Sequence, residues 1–310
     1  MFANATRQYP TLTHLGSTLY TRPIVGRITI RRALANLEDA AALHAVERAS
    51  LRDSPYTPQE MVPILQRPEH LAYLAFAEGR VVGFCSCFET PAKAGQRLEI
   101  DMLGVMPTLR RQGIATRLIC HSLHEAARRG VVEARALVAS DNVASQRVFV
   151  KAGLKACEGP AGAPLAQELL LYEIAGDAPQ SFLPPGWRWH LVTEGRFLAG
   201  GRSPYPFDAQ GPRRRVCWLE DASARRAAMA ECLQVQTLAY RGLWIERIWS
   251  VSPAATSILA RSVVEYAKAE GLDEVGYLCA QTADEEGVLP WLRQGYDSAG
   301  SYYVFRASSS

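Results

Sequence analysis

Residues 105–115 read Val-Met-Pro-Thr-Leu-Arg-Arg-Gln-Gly-Ile-Ala and lie between a strand-like run and an amphipathic one. Leu98 to Val105 reads as a strand, and Pro107 ends it. Ile114, Leu118, Ile119, Leu123 and Ala126 then recur on one helical face, with Gly130 as the stop signal. A strand that turns sharply and feeds a helix through a glycine leaves that helix with unpaired N–H groups at the positive end of its dipole. Such a turn is an anion site, and a diphosphate fits it. Arg110 and Arg111 add positive charge, and Gly113 allows backbone to approach a ligand where a side chain would intrude. The loop lacks the Lys and second Gly of GxxxxGK[ST], and it is not GxGxxG.

The chain has 310 residues, comfortable for two domains. Hydrophobic residues make up 48% and charged residues 21%, which excludes general disorder. No run of about 18 uninterrupted apolar residues marks a membrane span. A net charge of +3 argues against a nucleic-acid or membrane-surface partner. The seven cysteines are scattered, with no CxxC pair and no Cys/His cluster of zinc spacing, so no metal site is expected. With no apolar leader run, this usage suits a reducing cytoplasm. Cys85 and Cys87 alternate on a strand and read as small core residues.

Residues 1–26 are polar and aperiodic and read as an extension. Within residues 27–176 the pattern predicts a strand at Ile28–Ile30 and a helix from Leu37 to Leu51. A hairpin follows, Leu71–Ala77 with Arg80–Phe88, across Glu78-Gly79. After the central strand and helix come a strand at Ala134–Ala139, a helix at Asn142–Lys151 and a closing strand at Leu169–Ile174. Residues 177–186 read as a linker. Residues 187–310 repeat part of this order: strand Trp244–Val251, helix Thr256–Ala269, strand Glu274–Cys279, a short helix from Gly287 and a final strand Tyr302–Phe305. In both halves a strand ends two residues before a proline, Pro107 or Pro253, which points to an internal duplication. Arg213-Arg214-Arg215 reads as a solvated loop.

The loop resembles the acyl-CoA loop of the GNAT (Gcn5-related N-acetyltransferase) superfamily, R/Q-x-x-G-x-G/A, whose positions Arg110, Gly113 and Ala115 fill, preceded by Val105 and Pro107. A second stretch, from Asn142 through Ser145 and Phe149 to Gly153-Leu154, is similar to the family's N-x-x-A/S-x-x-x-Y/F-x-x-x-G-F/L helix. The resemblance covers residues 28–174. It implies an α/β fold in tandem, each half a mixed, mostly antiparallel sheet flanked by helices, with acetyl-CoA bound by residues 27–176. Backbone groups of Leu103 and Val105 would pair with the pantetheine amides. The N–H groups of Arg111, Gln112, Gly113, Ile114 and Ala115, with the Thr116 hydroxyl, would hold the pyrophosphate. Asn142 would bond the pantetheine arm, and Ser145 and Phe149 share its helix. The second half resembles a degenerate copy: Leu259 aligns with Gly113, and no Asn142 equivalent is evident. That half would be structural or form a wall of the acceptor cleft.

The implied reaction moves an acetyl group to a primary amine, and an ammonium must first lose a proton to a general base. Glu99 and Asp101 stand at i and i+2 on the strand before the loop. Glu99, 14 residues before Gly113, matches the place where several family members carry the base, so it is the first candidate and Asp101 the second. Where many members carry a Tyr that protonates the leaving thiolate, this chain has Phe149, which has no proton to give. Either water or another residue protonates the thiolate, or it leaves unaided; Tyr172 is a remote candidate that reads first as a core aromatic. The alternative reading is a non-catalytic acyl-CoA sensor or interaction module. The expected partner is a small-molecule or peptide amine, with no nucleic acid and no membrane, on a monomer or homodimer. Segments 50–68 and 90–96 are the expected sites of acceptor selection.

Overall fold

The computed structural model describes residues 27–51, 56–92, 95–159, 162–174, 183–193, 213–280 and 285–308. The expected extension and most of the linker lie outside them.

The first half runs β1 (Thr29–Arg32), α1 (Leu37–Ser50), α2 (Pro58–Leu65), β2 (His70–Ala77), β3 (Arg80–Ala92) and β4 (Gly95–Val105). A 3-10 turn (Pro107–Leu109) leads to α3 (Ile114–Arg128), β5 (Glu133–Ala139), α4 (Val143–Lys151), β6 (Lys155–Ala156) and β7 (Ala166–Glu173). The second half runs β8 (Arg188–Thr193), β9 (Arg213–Glu220), β10 (Arg226–Gln236), β11 (Arg241–Ser250), α5 (Pro253–Ala269), β12 (Glu274–Ala280), α6 (Glu285–Leu292) and β13 (Asp297–Ser308). The hairpin at Glu78-Gly79 forms as predicted, with φ of 49° and 75°, the mirror-image turn that matches strand twist. Sequence periodicity misses α2, whose start is a capping box between Thr57 and Glu60, and also β8 to β10.

All strands join one mixed sheet in the order β1-β2-β3-β4-β5-β13-β7-β12-β11-β10-β9-β8, with β6 beside β13. The terminal strands are exchanged. β13, from the second half, pairs along β5, Tyr302 opposite Ala139 through Ser308 opposite Glu133. β7, from the first half, pairs along β12, Glu274 opposite Glu173 through Ala280 opposite Gln167. The closing strand expected for the first half therefore closes the second, and the boundary drawn from sequence at 176/187 is crossed in both directions.

α3 and α4 cover one face of the first half, over Tyr73, Cys85, Cys87, Leu98, Ile100 and Phe305. The other face carries α1 and α2 over Leu74 and Phe84, and Leu238 of the second half is fully buried in that same cluster. Leu238 sits in a turn in which Thr237 N donates to Tyr240 O at 2.8 Å. The Thr237 hydroxyl accepts from Ala239 N at 3.0 Å and Tyr240 N at 3.2 Å. The plug fixes this hairpin tip against the first half, since a buried Leu contributes about 2–3 kcal/mol.

The Arg213–Arg215 run is not a solvated loop. It opens β9, and Arg214 and Arg215 are buried. Arg214 reaches Glu231 and Glu246, each at 3.2 Å, and Arg215 donates to Tyr266 Oη at 2.8 Å and Gln234 Oε1 at 3.0 Å. Buried cations need such partners, and these lie far away in sequence. Among the described residues no helix is long and apolar enough to cross a membrane, and no group of three or more His, Cys, Asp or Glu could hold a metal ion.

Candidate active site

β4 and β5 run parallel and pair only from Arg97–Glu133 to Ile100–Ala136. Beyond that, β4 continues to Val105 bonded to β3, and β5 continues to Ala139 bonded to β13. Their facing edges part, and Leu103 and Val105 lie on the β4 edge of the opening. α3 begins beside it. Gly113 is its N-cap at φ +76°, preceded by Arg111 at φ +64°, and no side chain caps the first-turn amides. By contrast, Asn36, Thr57, Asn142 and Ser252 each cap their helices. A Cβ at Gly113 would meet no protein atom within 4 Å, so its glycine serves the left-handed turn and leaves an open side.

The expected cofactor residues divide. Arg111 and Gly113 are exposed, Gln112, Ala115 and Thr116 are half-buried, and Ile114 is buried under the helix. Arg110 bonds to protein carbonyls: its Nε donates to Val105 O at 3.4 Å and its Nη2 to Ser50 O at 3.0 Å, tying the loop to the end of α1. Asn142 caps α4, its side chain accepting from Ser145 N at 3.1 Å. Phe149 is buried with its ring 5.7 Å from that of Phe305. Tyr172 packs at 5.5 Å on Tyr296, in the second half's core.

The two candidate bases have opposite surroundings. Glu99 lies in the paired part of β4. Arg97 Nε donates to its Oε1 at 2.5 Å, and Arg135 Nε to its Oε2 at 2.9 Å. Both carboxylate oxygens are thus taken by guanidinium groups. Asp101 is the extra residue of a β-bulge, because Cys87 opposes Ile100 and Ser86 opposes Met102. It stands where β4 leaves β5. Among the described residues no Lys or Arg meets it, and its Oδ2 is enclosed without a hydrogen-bond partner. Burial pushes its carboxyl up to about 7. The Thr237 hydroxyl opposes that rise, while Glu274, Glu99 and Glu47 add to it. Glu274, at the start of β12, is also pushed up to about 7 by burial, with Asp273 and Glu173 adding to the effect.

The second half repeats this bulge with its carboxylate clamped. Its β10–β11 ladder bulges at Glu246, since Cys232 opposes Ile245 and Glu231 opposes Arg247. β11 pairs in parallel with β12 only from Gly242 to Ile245. There Glu246 is clamped by Arg97, Arg135 at 3.2 Å and Arg214 at 3.2 Å. Burial works to raise its carboxyl, but these cations overcome it and hold it below the usual carboxylate value. Ser252, the N-cap of α5, follows Glu246 by six residues, whereas Gly113, the N-cap of α3, follows Asp101 by twelve. Aligning Leu259 with Gly113 is therefore incorrect. The whole loop is missing, and Leu259 lies mid-helix in the core. Thr237, Tyr240, Glu246 and Glu274 were missed by sequence reasoning. Glu246 had a signal, Leu98-Glu-Ile-Asp101 recurring as Leu243-Trp-Ile-Glu246.

A mixed sheet whose parallel pair parts is built twice in one chain, with an uncapped helix beside the opening of the first half, and this defines a tandem α/β fold. Residues 33–154 match the Acetyltransferase (GNAT) family, and that segment is a GNAT domain. Comparison with curated proteins gives no match. Among solved structures, the chain is similar to a tandem GNAT protein from the clavulanic acid biosynthesis pathway, at 14% identity and TM-score 0.52, covering 92% of this chain and 99% of that one. It is also similar to a GCN5-related N-acetyltransferase from Sphaerobacter thermophilus, at 15% identity and TM-score 0.55, covering 91% and 95%.

Proposed function

We propose that the protein is an acyl-CoA-dependent N-acyltransferase, with acetyl-CoA as donor and a primary amine as acceptor, and that Asp101 rather than Glu99 receives the amine's proton. The supporting observation is Asp101 itself: an uncompensated carboxylate at the point where β4 and β5 part, beside a helix with uncapped first-turn amides. The open side of Gly113 and those amides suit a pyrophosphate, and the unpaired edge at Leu103 and Val105 suits the pantetheine amides. With Asp101 deprotonated, it takes a proton from the acceptor ammonium. The freed amine attacks the thioester carbonyl, the C–N bond forms and the C–S bond breaks. The attacked nitrogen still carries one proton too many; that proton passes through water to the leaving thiolate, because Phe149 offers none, and the neutral amide and free thiol remain. Glu99 anchors the arginines that join the halves.

A non-catalytic acyl-CoA sensor is the second reading, favoured by the buried phenyl ring of Phe149. Incubation with acetyl-CoA and a panel of amines, following free thiol, separates the two. Amine-dependent release supports the transferase, and tight CoA binding without turnover across the panel supports the sensor.

A further inference from the structure

Among the described residues, well-enclosed carboxylates commonly meet a guanidinium: Asp39 with Arg31, Glu69 with Arg67, Glu89 with Arg129, Glu99 with Arg97 and Arg135, and Glu246 with three arginines. Asp101 and Glu274 do not, although 30 of the 310 residues are Arg. The two come from opposite halves, and the turn of residues 237–240 links their surroundings: Leu238 packs in the cluster that Met102, next to Asp101, joins, and Tyr240 adjoins Gly242, the strand partner of Glu274. Of the carboxylates acting on Asp101, Glu274 acts most strongly, ahead of Glu99 and Glu47. Tyr240 lies among Asp101, Glu274 and Glu99, its hydroxyl accepting from Trp244 Nε1 at 3.0 Å. Gly242 makes room for this grouping, since a Cβ there would come within 2.8 Å of the Tyr240 ring and 3.4 Å of Glu274 Cγ. The second observation is the enclosed Oδ2 of Asp101, a buried acceptor with nothing to accept from.

One base is enough for the reaction. Asp101 neutralises the reacting ammonium by taking its proton, so it gains no lasting cation. Glu274 remains a half-buried carboxylate with Asp273 and Glu173 for charged neighbours and no cation of its own. Resting on the transferase reading above, we propose that the acceptor carries a second, permanent positive charge, as a diamine or an amino-guanidine does, and that Glu274 of the second half binds it. The turn that carries Thr237 and Tyr240 adjoins both carboxylates. The second half then sets acceptor choice, having lost its own donor loop.

The full-length protein is assayed with acetyl-CoA and matched pairs, butylamine against 1,4-diaminobutane and pentylamine against 1,5-diaminopentane. The expected result is a kcat/KM for the diamine at least about tenfold above that for its monoamine, with the ratio falling about tenfold in Glu274→Gln and partly recovering in Glu274→Asp. Equal kcat/KM values for wild-type protein within each pair overturn the proposal, whether or not a variant folds. Diamine binding is measured separately by calorimetry without acetyl-CoA. Diamine binding that Glu274→Gln abolishes, with no turnover of any amine, leaves the cation site standing and removes the transferase reading. Turnover of both partners at equal rates does the reverse.

Discussion

Asp101 and Glu246 occupy the same β-bulge in the two halves, each following an isoleucine where two parallel strands part, yet only Glu246 is clamped by arginines. One geometry is thus kept twice with opposite electrostatics. An uncompensated carboxylate can exchange a proton near neutrality, and a clamped one stays charged and holds the halves together.

Glu99 and Asp101 separate cleanly by mutation. Removing the Glu99 side chain leaves Arg97 and Arg135 short of a buried counter-charge, so Glu99→Ala is expected to lose about 3–5 kcal/mol. Asp101→Asn relieves an unpaired charge and leaves stability close to wild type, while kcat/KM falls about 100-fold or more and CoA affinity persists. Denaturant unfolding and steady-state rates on both variants check this. A larger rate loss in a folded Glu99→Gln protein than in Asp101→Asn would return the base role to Glu99.

The pH dependence has a definite sign. Asp101 and Glu274 rise from ordinary values of 3.8 and 4.5 to about 7 in the folded chain. Between those limits the folded state holds protons that the unfolded state has released. Their contribution to stability is therefore present on the acid side and is lost as pH rises through about 7. In the proposed reaction activity moves the other way, because Asp101 would act deprotonated: kcat/KM is expected to climb about tenfold per pH unit below about 7 and then level. Unfolding midpoints from pH 5 to 8 should show Asp101→Asn gaining on wild type as pH rises.

Gly113 stands at φ +76° with open space beside it. Gly113→Val strains the backbone by about 1–2 kcal/mol and places its side chain in the proposed pyrophosphate seat. Isothermal titration should find CoA affinity down by far more than about tenfold, while the unfolding midpoint shifts modestly. Retained affinity would remove the loop from the binding site.

The first half was largely legible because its signals are local. The turn residues Glu78-Gly79, the stripe from Ile114 to Ala126 and the spacing of Gly113 from Asn142 each act within one or two neighbouring elements. What remained hidden depends on distant pairing. Three charges in a row at Arg213–Arg215 look solvated until Glu231, Glu246 and Tyr266 are brought beside them. Spacing makes Glu99 the first candidate base; Arg97, two residues before it, is visible in the sequence, but Arg135 on β5 is not announced by any local feature. The bulge that distinguishes Asp101 is a property of strand register, which a single strand's sequence does not display.

Residues 27–176 produced alone lack β13, the strand that pairs with β5 and β6. This fragment is expected to be unfolded or aggregated, with an unpaired edge at β5. Co-expression with residues 177–310 should restore a folded complex, read by circular dichroism and gel filtration. A cooperative unfolding transition in the isolated fragment would show that β7 can turn back and fill the gap.

The exchange also sets a timetable for synthesis. Because β5 receives its neighbour from residues 297–308, the opening between β4 and β5 cannot mature while the ribosome is still translating the second half. Ribosomes stalled anywhere short of that strand would carry a nascent chain whose GNAT domain has every one of its signature residues and no finished sheet to display them.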